Sequence, residues 1–552
     1  MRILKAIKIS MKKINNEYII IFISVILCAV FYNNHSNLIT DFGREVMIPS
    51  EILNGQILYK DILNIYGALS YYINAFAMLI LGKNLNALFI MGSINCIIFS
   101  LCFYKLALHF LNKQLSLYST LFVAIYCMYG FGLYNYQHPY AYAIVYGLTF
   151  TLFSILFFIK YFEDENSSKN LFISGLFAGL SVCCKIEFLP LIFFDLFVLF
   201  VYKKIKIKEF LFYLLFFLIP FSIYLIPIIQ GLNIEDIKNA ISITINESKS
   251  PSVIYFYKLT GSCFSLEELI KSAVCTTVSF SIFGILYIIF KKFYNKKLIL
   301  ALLTIPFFIL CLLLFFGREF GILPIIILST LIVLFIKKAE NKYLILFGSA
   351  LICSSKTIFS LNLTGYGTYT LPLLLLAIIV LFNIKNDLIK ENFTKILIIL
   401  LIIVKLIPVI LIYPEYNYPL KTSKGTIKTS EYWAQGINLY TQFVDKNTNS
   451  SDKILHLQEG VLLNFLTDRK TDMNCYALNL PYIETYGVQK IIQTIDKFDY
   501  ITIINGFGSY YFGKGNYYLE KNEITDFINK NFKTIFTYKK GDDIIILMKK
   551  VN

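Results

Sequence analysis

The sequence predicts an all-α polytopic membrane protein of about 13 transmembrane helices, each needing about 17–25 apolar residues, followed by a C-terminal soluble α/β domain. Three observations predict it. Of the 552 residues, 57% are hydrophobic and only 16% charged, against roughly 25% charged in soluble domains, which excludes a soluble protein. The apolar residues run in long blocks broken by short Lys-rich or Asn/Tyr-rich segments, where a large soluble core would give stripes of period 2 or 3.6. After Tyr413 the blocks stop: residues 414–552 carry 17 Lys/Arg and 15 Asp/Glu and no spanning run.

In chain order the spans fall near 18–32, 85–108, 114–132, 140–160, 170–184, 186–202, 210–229, 270–290, 297–316, 320–336, 343–361, 369–382 and 393–413. The stretch 68–82 is short and carries Ser70, Tyr71, Tyr72 and Asn74, so it reads as an interfacial helix of a first outer loop, 33–84. That choice keeps the Lys-rich loops (Lys203 to Lys208, Lys291 to Lys297, Lys337 to Lys342, Lys385 to Lys395) on the inside. Inner loops with their flanking span ends then hold 23 Lys/Arg and 8 Asp/Glu, and outer segments before residue 414 hold about 8 and 11. The net charge of +16 is therefore topological, as the positive-inside rule requires, and does not imply nucleic acid. The odd count places the N-terminus in the cytoplasm and the C-terminal domain outside, in a multi-pass protein of the inner (plasma) membrane. The basic N-terminus (Arg2 to Lys13) precedes an apolar run with no small-x-small cleavage site at Tyr32 to His35, so it reads as an uncleaved first span.

Two domains follow: 1–413 in the membrane and 414–552 outside. The second alternates short apolar runs with amphipathic helices: Lys453 to Leu457, a helix over 459–466, a helix over 482–497, Tyr500 to Ile504 and a helix over 517–530. Thr534 to Tyr538 and Asp543 to Met548 follow, joined by Lys540-Gly541-Asp542. Most of the 11 cysteines lie in apolar runs, where a thiol is a small hydrophobe. Adjacent Cys183 and Cys184 point about 100° apart on a helix and lack Cys-x-x-Cys spacing, so they read as structural.

Ionisable groups beside a membrane are costly without a partner or a task. The strongest set is Asp41-Phe42-Gly43-Arg44-Glu45, continued by Gly55, Tyr59, Lys60, Asp61 and Tyr66-Gly67. Two carboxylates four residues apart share one face of a helical turn, with Arg44 between them; read alone, they also suit a solvated loop ion pair. The second set is Lys185-Ile186-Glu187, after Gly175 and Gly179. Lys185 is either a snorkelling lysine or, beside a low-dielectric wall, an attractor of lipid phosphate, with Glu187 as its positioner. The third set is His138, beside Pro139, and Arg318. A lone His beside Pro is more often a turn residue, whereas Arg318 stands alone between Arg44 and Arg469 and offers a planar fork to phosphate, or an ion pair to a loop carboxylate.

The run Asp41-x-Gly43-Arg44-Glu45, then Leu53-x-Gly55-x-x-x-Tyr59-Lys60-Asp61, then Tyr66-Gly67-x-Leu69-x-Tyr71-Tyr72 resembles the first outer loop of C-type glycosyltransferases, the GT-C fold. The nearest groups are the family-39-like bacterial enzymes related to protein O-mannosyltransferases and to the aminoarabinose transferase of lipid A. The resemblance extends weakly along the chain. It implies an acidic active-site residue and juxtamembrane helices in this loop, a lysine after the Gly-rich helix, and inversion at the anomeric carbon. Protein mannosyltransferases typically have adjacent Asp-Glu here; Asp41 and Glu45 are separated by three residues, which argues against protein mannosylation.

The expected function is transfer of a sugar from a polyprenyl-phosphate-linked donor to a lipid, glycan or protein acceptor at the outer face. Asp41 and Glu45 are the expected catalytic pair; Arg44, Tyr59, Lys60, Tyr66, His138, Lys185, Glu187 and Arg318 are the expected substrate and phosphate ligands. Membrane lipids are the other expected partners, and nucleic acid is not one. No metal is required, although Asp41 with Glu45 is a set able to hold a divalent cation. Two rival classes are a polysaccharide polymerase or ligase and a polytopic transporter. The outer loop 230–269 lacks the Arg and His common in the first, and the segment lengths show no repeated halves of the second.

Overall fold

A computed structural model describes residues 15–35, 39, 41–63, 66–132, 134–164, 167–203, 206–296, 317–384, 387–505, 521–541 and 543–551. The expected span 297–316, the basic stretch before residue 14, Lys204, Lys297, Lys385 and Asp542 lie outside the described residues.

The chain folds as helices α1 (Asn16–Phe31), α2 (Phe42–Leu53), α3 (Ala68–Leu81), α4 (Leu85–Ala107), α5 (Lys113–Val123), α6 (Tyr142–Glu163), α7 (Ser168–Cys184), α8 (Leu189–Val198), α9 (Ile207–Leu218), α10 (Leu225–Ile229), α11 (Ile234–Ser248), α12 (Pro251–Thr260), α13 (Leu266–Phe293), α14 (Leu323–Ile336), α15 (Asn341–Cys353), α16 (Gly367–Asn383) and α17 (Leu388–Ile412). Among the described residues five helices are long and apolar enough to cross a membrane: 85–107, 142–163, 207–229, 266–293 and 388–416, with α9 and α10 joined by a 3-10 turn. Together with the shorter apolar helices they make a multi-pass membrane protein. The helix α3, whose 14 residues rise about 21 Å, is shorter than the roughly 30 Å hydrocarbon core.

Apolar side chains face outward along these helices: Phe22, Phe76, Phe193, Ile288 and Ile410 are all more than 60% exposed. With no water to drive association, helices in lipid pack through small residues. On α7 a Cβ at Gly175 would meet the carbonyl oxygen of Tyr213 at 2.7 Å, and one at Gly179 that of Phe217 at 2.1 Å. The other face of α7 meets α6, where the Ser154 hydroxyl donates to the Ser174 carbonyl at 3.0 Å. Two helices in 230–269, α11 and α12, replace what the sequence reads only as a modest loop. A capping box at Asn233 and Asp236 starts α11, and Ser250 caps α12 ahead of Pro251.

The C-terminal region contains β1 (Tyr418–Thr422), β2 (Gly425–Thr429), α18 (Glu431–Asn447), β3 (Ile454–Glu459), α19 (Val461–Thr467), β4 (Ala477–Leu478), α20 (Leu480–Ile495), β5 (Tyr500–Asn505), α21 (Asn522–Asn531), β6 (Phe532–Lys540) and β7 (Asp543–Lys550). The five-stranded sheet has order β4-β3-β5-β7-β6, with β3 and β5 parallel and the other pairs antiparallel. The hairpin β1–β2 latches this region to the first loop. His35 N–H donates to the Lys428 carbonyl at 2.8 Å, Lys428 N–H to Asn33 at 2.7 Å, and Leu85 N–H to Lys424 at 2.9 Å. The helix α20 docks on α11 and α12, where the Ser252 hydroxyl donates to Glu484 at 2.6 Å.

Candidate active site

The site forms where the first loop meets the turns at the ends of α7 and α15. Asp41 stands just before α2 with φ 60°, ψ −48°, a γ-turn-like conformation that is rare and strained for a residue with a Cβ. Its N–H donates to Glu459 Oε2 at 2.9 Å, and its Oδ1 pairs with Arg44 Nη1 at 3.0 Å. Burial raises the Asp41 carboxyl above the usual range, while Arg44 and Lys185 oppose that rise. A raised carboxylate suits a base better than a carboxylate quenched by its Arg.

Arg44 also donates to the Tyr140 carbonyl at 2.9 Å and lies over the Tyr66 ring at 5.2 Å. Glu45 turns away. It is fully buried, and its Oε2 accepts the N–H of Tyr142, the first residue of α6, at 2.8 Å. Its Oε1 faces Arg44 Nε at 3.3 Å and the Tyr71 hydroxyl at 3.4 Å. An anion at a helix N-terminus is stabilising, so Glu45 anchors α2 to α6.

Gly67 lets the chain touch the end of α7: its N–H donates to the Cys184 carbonyl at 3.0 Å, and a Cβ there would meet the Cys183 carbonyl oxygen at 2.0 Å. That contact puts Tyr66 under Lys185. Lys185 is 2% exposed, donates to the Tyr140 hydroxyl at 2.7 Å, pairs with Glu187 at 3.4 Å, and lies 4.8 Å from the Tyr66 ring centre. Burial lowers its ammonium to about 7, with Lys356 and Arg44 assisting and Glu187 opposing.

Lys356, in the turn after α15, pairs with the other oxygen of Glu187 at 2.5 Å and lies 4.8 Å from the Tyr366 ring centre. Glu187 is thus shared between Lys185 and Lys356. Three cations and the carboxylates of Asp41 and Glu187 thus gather around the rings of Tyr66, Tyr140 and Tyr366. A groove of about 390 Å³, lined by Tyr59, Tyr66, Val182, Tyr224, Ile237 and Ile241 among others, opens beside Tyr66.

The remaining expected ligands sit elsewhere. Tyr59, at φ 69°, donates to the Tyr66 carbonyl at 2.8 Å and stacks on Tyr224, so it braces Tyr66. Lys60 is exposed and donates to the Gly231 carbonyl at 3.1 Å. His138 is buried behind α2, its Nε2 3.0 Å from the Phe31 carbonyl and its ring against Phe89; burial lowers it to about 4. Arg318 pairs with Glu268 at 2.5 Å, near the start of α13. Neither His138 nor Arg318 meets the cluster, and packing and ion pairing account for them. Among the described residues no group of three His, Cys, Asp or Glu side chains converges.

Lys356 and Glu459 complete the site without standing out in the sequence. Lys356 is an ionisable residue inside the apolar run 343–361, the only trace it leaves; Glu459 leaves none.

Residues 67–226 match the family described as dolichyl-phosphate-mannose-protein mannosyltransferase. No curated protein matches the chain. Among solved structures the chain is similar to ArnT from Cupriavidus metallidurans bound to undecaprenyl phosphate, with 7% identity, 96% of this chain and 97% of that chain covered, and a TM-score of 0.53. The Archaeoglobus fulgidus oligosaccharyltransferase in complex with Zn and sulfate aligns with 12% identity over 96% of this chain and 73% of that one, at a TM-score of 0.49. The GT-C resemblance is thereby borne out: the chain has the fold of ArnT and matches the dolichyl-phosphate-mannose-protein mannosyltransferase family over residues 67–226, a stretch that begins after the Asp41 to Asp61 motif.

Proposed function

We propose that the protein is an integral-membrane glycosyltransferase that moves a sugar from a polyprenyl-phosphate donor to a lipid, glycan or protein acceptor at the outer face of the membrane. One observation carries the reading: the Asp41 carboxylate shares its surroundings with Arg44, Lys185 and Lys356 beside an apolar groove. Anion-binding cations at the mouth of an apolar groove suit a lipid phosphate, whose chain lies along Tyr224, Ile237 and Ile241 while its head meets the cations. Undecaprenyl phosphate in ArnT is of this chemistry.

The reaction follows from these parts. Asp41 takes the proton of an acceptor hydroxyl as its oxygen bonds to the anomeric carbon. The bond from that carbon to the phosphate oxygen breaks, and the lipid phosphate leaves with the electron pair, its charge met by Lys185, Lys356 and Arg44. Attack opposite the leaving group inverts the anomeric centre. No metal is needed in this scheme, in which Arg44 already bridges Asp41 and Glu45; a divalent cation on that carboxylate pair would have to displace it. Residues 1–413 form the transferase domain in this reading and 414–552 an extracytoplasmic domain, with the N-terminus in the cytoplasm, as the Lys-rich loops favour.

The test is transfer by purified protein from a panel of radiolabelled polyprenyl-phosphate sugars, beginning with mannose, into lipid, glycan and peptide fractions. Label that appears in an acceptor together with released polyprenyl phosphate supports the reading. A protein that binds none of the donors overturns it.

A further inference from the structure

Asp41 and Gln458, which precedes Glu459, both hold backbone conformations unusual for residues with a Cβ: Asp41 has φ 60° and Gln458 φ 85°. Strained positions persist only where their surroundings over-determine them. Here Asp41 is tied to the residue after Gln458 by one hydrogen bond, from the Asp41 N–H to Glu459 Oε2 at 2.9 Å, across 418 residues of chain. Gln458 and Glu459 are both buried and are held in register against Leu478 and Ala477 of β4. Directly after them, α19 meets α2 almost backbone to backbone, since a Cβ at Gly43 would touch the Leu462 nitrogen at 2.6 Å. The C-terminal region therefore does more than cover the loop, because it grips the residue before α2 by its peptide N–H.

Resting on the reading of Asp41 as the base, we infer that Glu459 is a positioning residue: its carboxylate holds the Asp41 backbone in the conformation that aims the Asp41 side chain at the acceptor. Glu459 contacts Asp41 through the peptide rather than the reacting groups. Its loss should therefore act on turnover through Asp41 and leave donor binding alone.

The test uses the full-length protein with lipid-linked donors extracted from host membranes for turnover and labelled undecaprenyl phosphate for binding. Glu459→Ala should lower kcat by about 10²-fold, the scale of a misplaced catalytic group, with KM and undecaprenyl phosphate affinity unchanged. Glu459→Gln keeps an oxygen acceptor for the N–H and should restore most of the rate, which a general loss of fold would not allow. In an Asp41→Asn background Glu459→Ala should add nothing further. Should Glu459→Ala not fold, Glu459→Asp, one methylene too short to reach, should give the same kcat-only loss. Wild-type kcat in the folded Ala or Asp variant, or an additive loss in the double variant, overturns the inference while leaving the base intact. Wild-type kcat in Asp41→Asn overturns the reading on which it rests.

Discussion

Replacing Lys185 with Met keeps a long unbranched side chain between Tyr66 and Tyr140 and deletes the charge. In the native site that charge has few competitors: Lys185 is buried, Glu187 is shared with Lys356, and the remaining partner is the neutral Tyr140 hydroxyl. One charge-assisted hydrogen bond to a phosphodiester is worth about 1.5–3 kcal/mol, so donor affinity at pH 6 should fall roughly 10- to 150-fold. The same interaction must act on the proton. Burial holds free Lys185 at about 7, and a bound anion worth that much lifts it to between about 8 and 9. Binding above pH 7 therefore takes up a proton, and native affinity weakens by about 10- to 30-fold between pH 6 and pH 8.5. The Met variant, having no proton to take up, shows a flat profile and converges with the native protein at high pH. Glu247, which burial raises to about 7 on α11, titrates in the same window; a Glu247→Gln background removes its contribution. The assay is equilibrium binding of a fluorescent short-chain polyprenyl-phosphate sugar, whose phosphodiester keeps one charge across this range. A folded Lys185→Met protein with native affinity at pH 6, or one that retains the pH slope, refutes the assignment and returns Lys185 to packing on Tyr66 and Tyr140.

Two further substitutions separate anchoring from chemistry. Glu45→Gln removes the anion at the N-terminus of α6 and should cost about 0.3–2 kcal/mol of stability, read as a lower thermal midpoint in detergent, with a smaller loss of rate than Asp41→Asn. A loss equal to that of Asp41→Asn and dependent on added divalent cation would instead mean that the two carboxylates share a metal. Gly43→Ala forces a Cβ onto the Leu462 nitrogen and should destabilise the α2–α19 contact by about 1–3 kcal/mol. Native melting and native transfer in that variant would show that the contact is looser than the backbone approach implies.

The apolar helices are largely legible because they are written in composition: each of the expected segments within the described residues is helical at its core, although only five described helices are long and apolar enough to cross a membrane. The α/β alternation after Lys453 was legible for the same local reason, a change of period from 2 to 3.6. The hairpin Tyr418–Thr429 was not, since Pro419, Gly425 and six Lys or Thr residues hide its alternation. The helix α18 was missed with it, and α11 and α12 were passed over because their polar sequences resemble a loop. Local motifs single out Asp41, Arg44, Tyr66, Lys185 and Glu187, which the structure brings together. Lys356 lay inside an apolar run, where its neighbours argued for lipid, and Glu459 reaches Asp41 only through tertiary folding. His138 and Arg318, singled out as isolated polar types, lie apart from that cluster, against the Phe31 carbonyl and Glu268.

The central claim is that Asp41 is the base of a sugar transfer, and Asp41→Asn tests it most directly. The amide keeps the size of the side chain and an oxygen to face Arg44, so expression, thermal midpoint and donor affinity should stay close to native. Transfer from the polyprenyl-phosphate sugar should fall by about 10²–10⁴, the contribution of a positioned general base, with KM for the donor unchanged. A stable Asp41→Asn protein that transfers at the native rate would contradict the account.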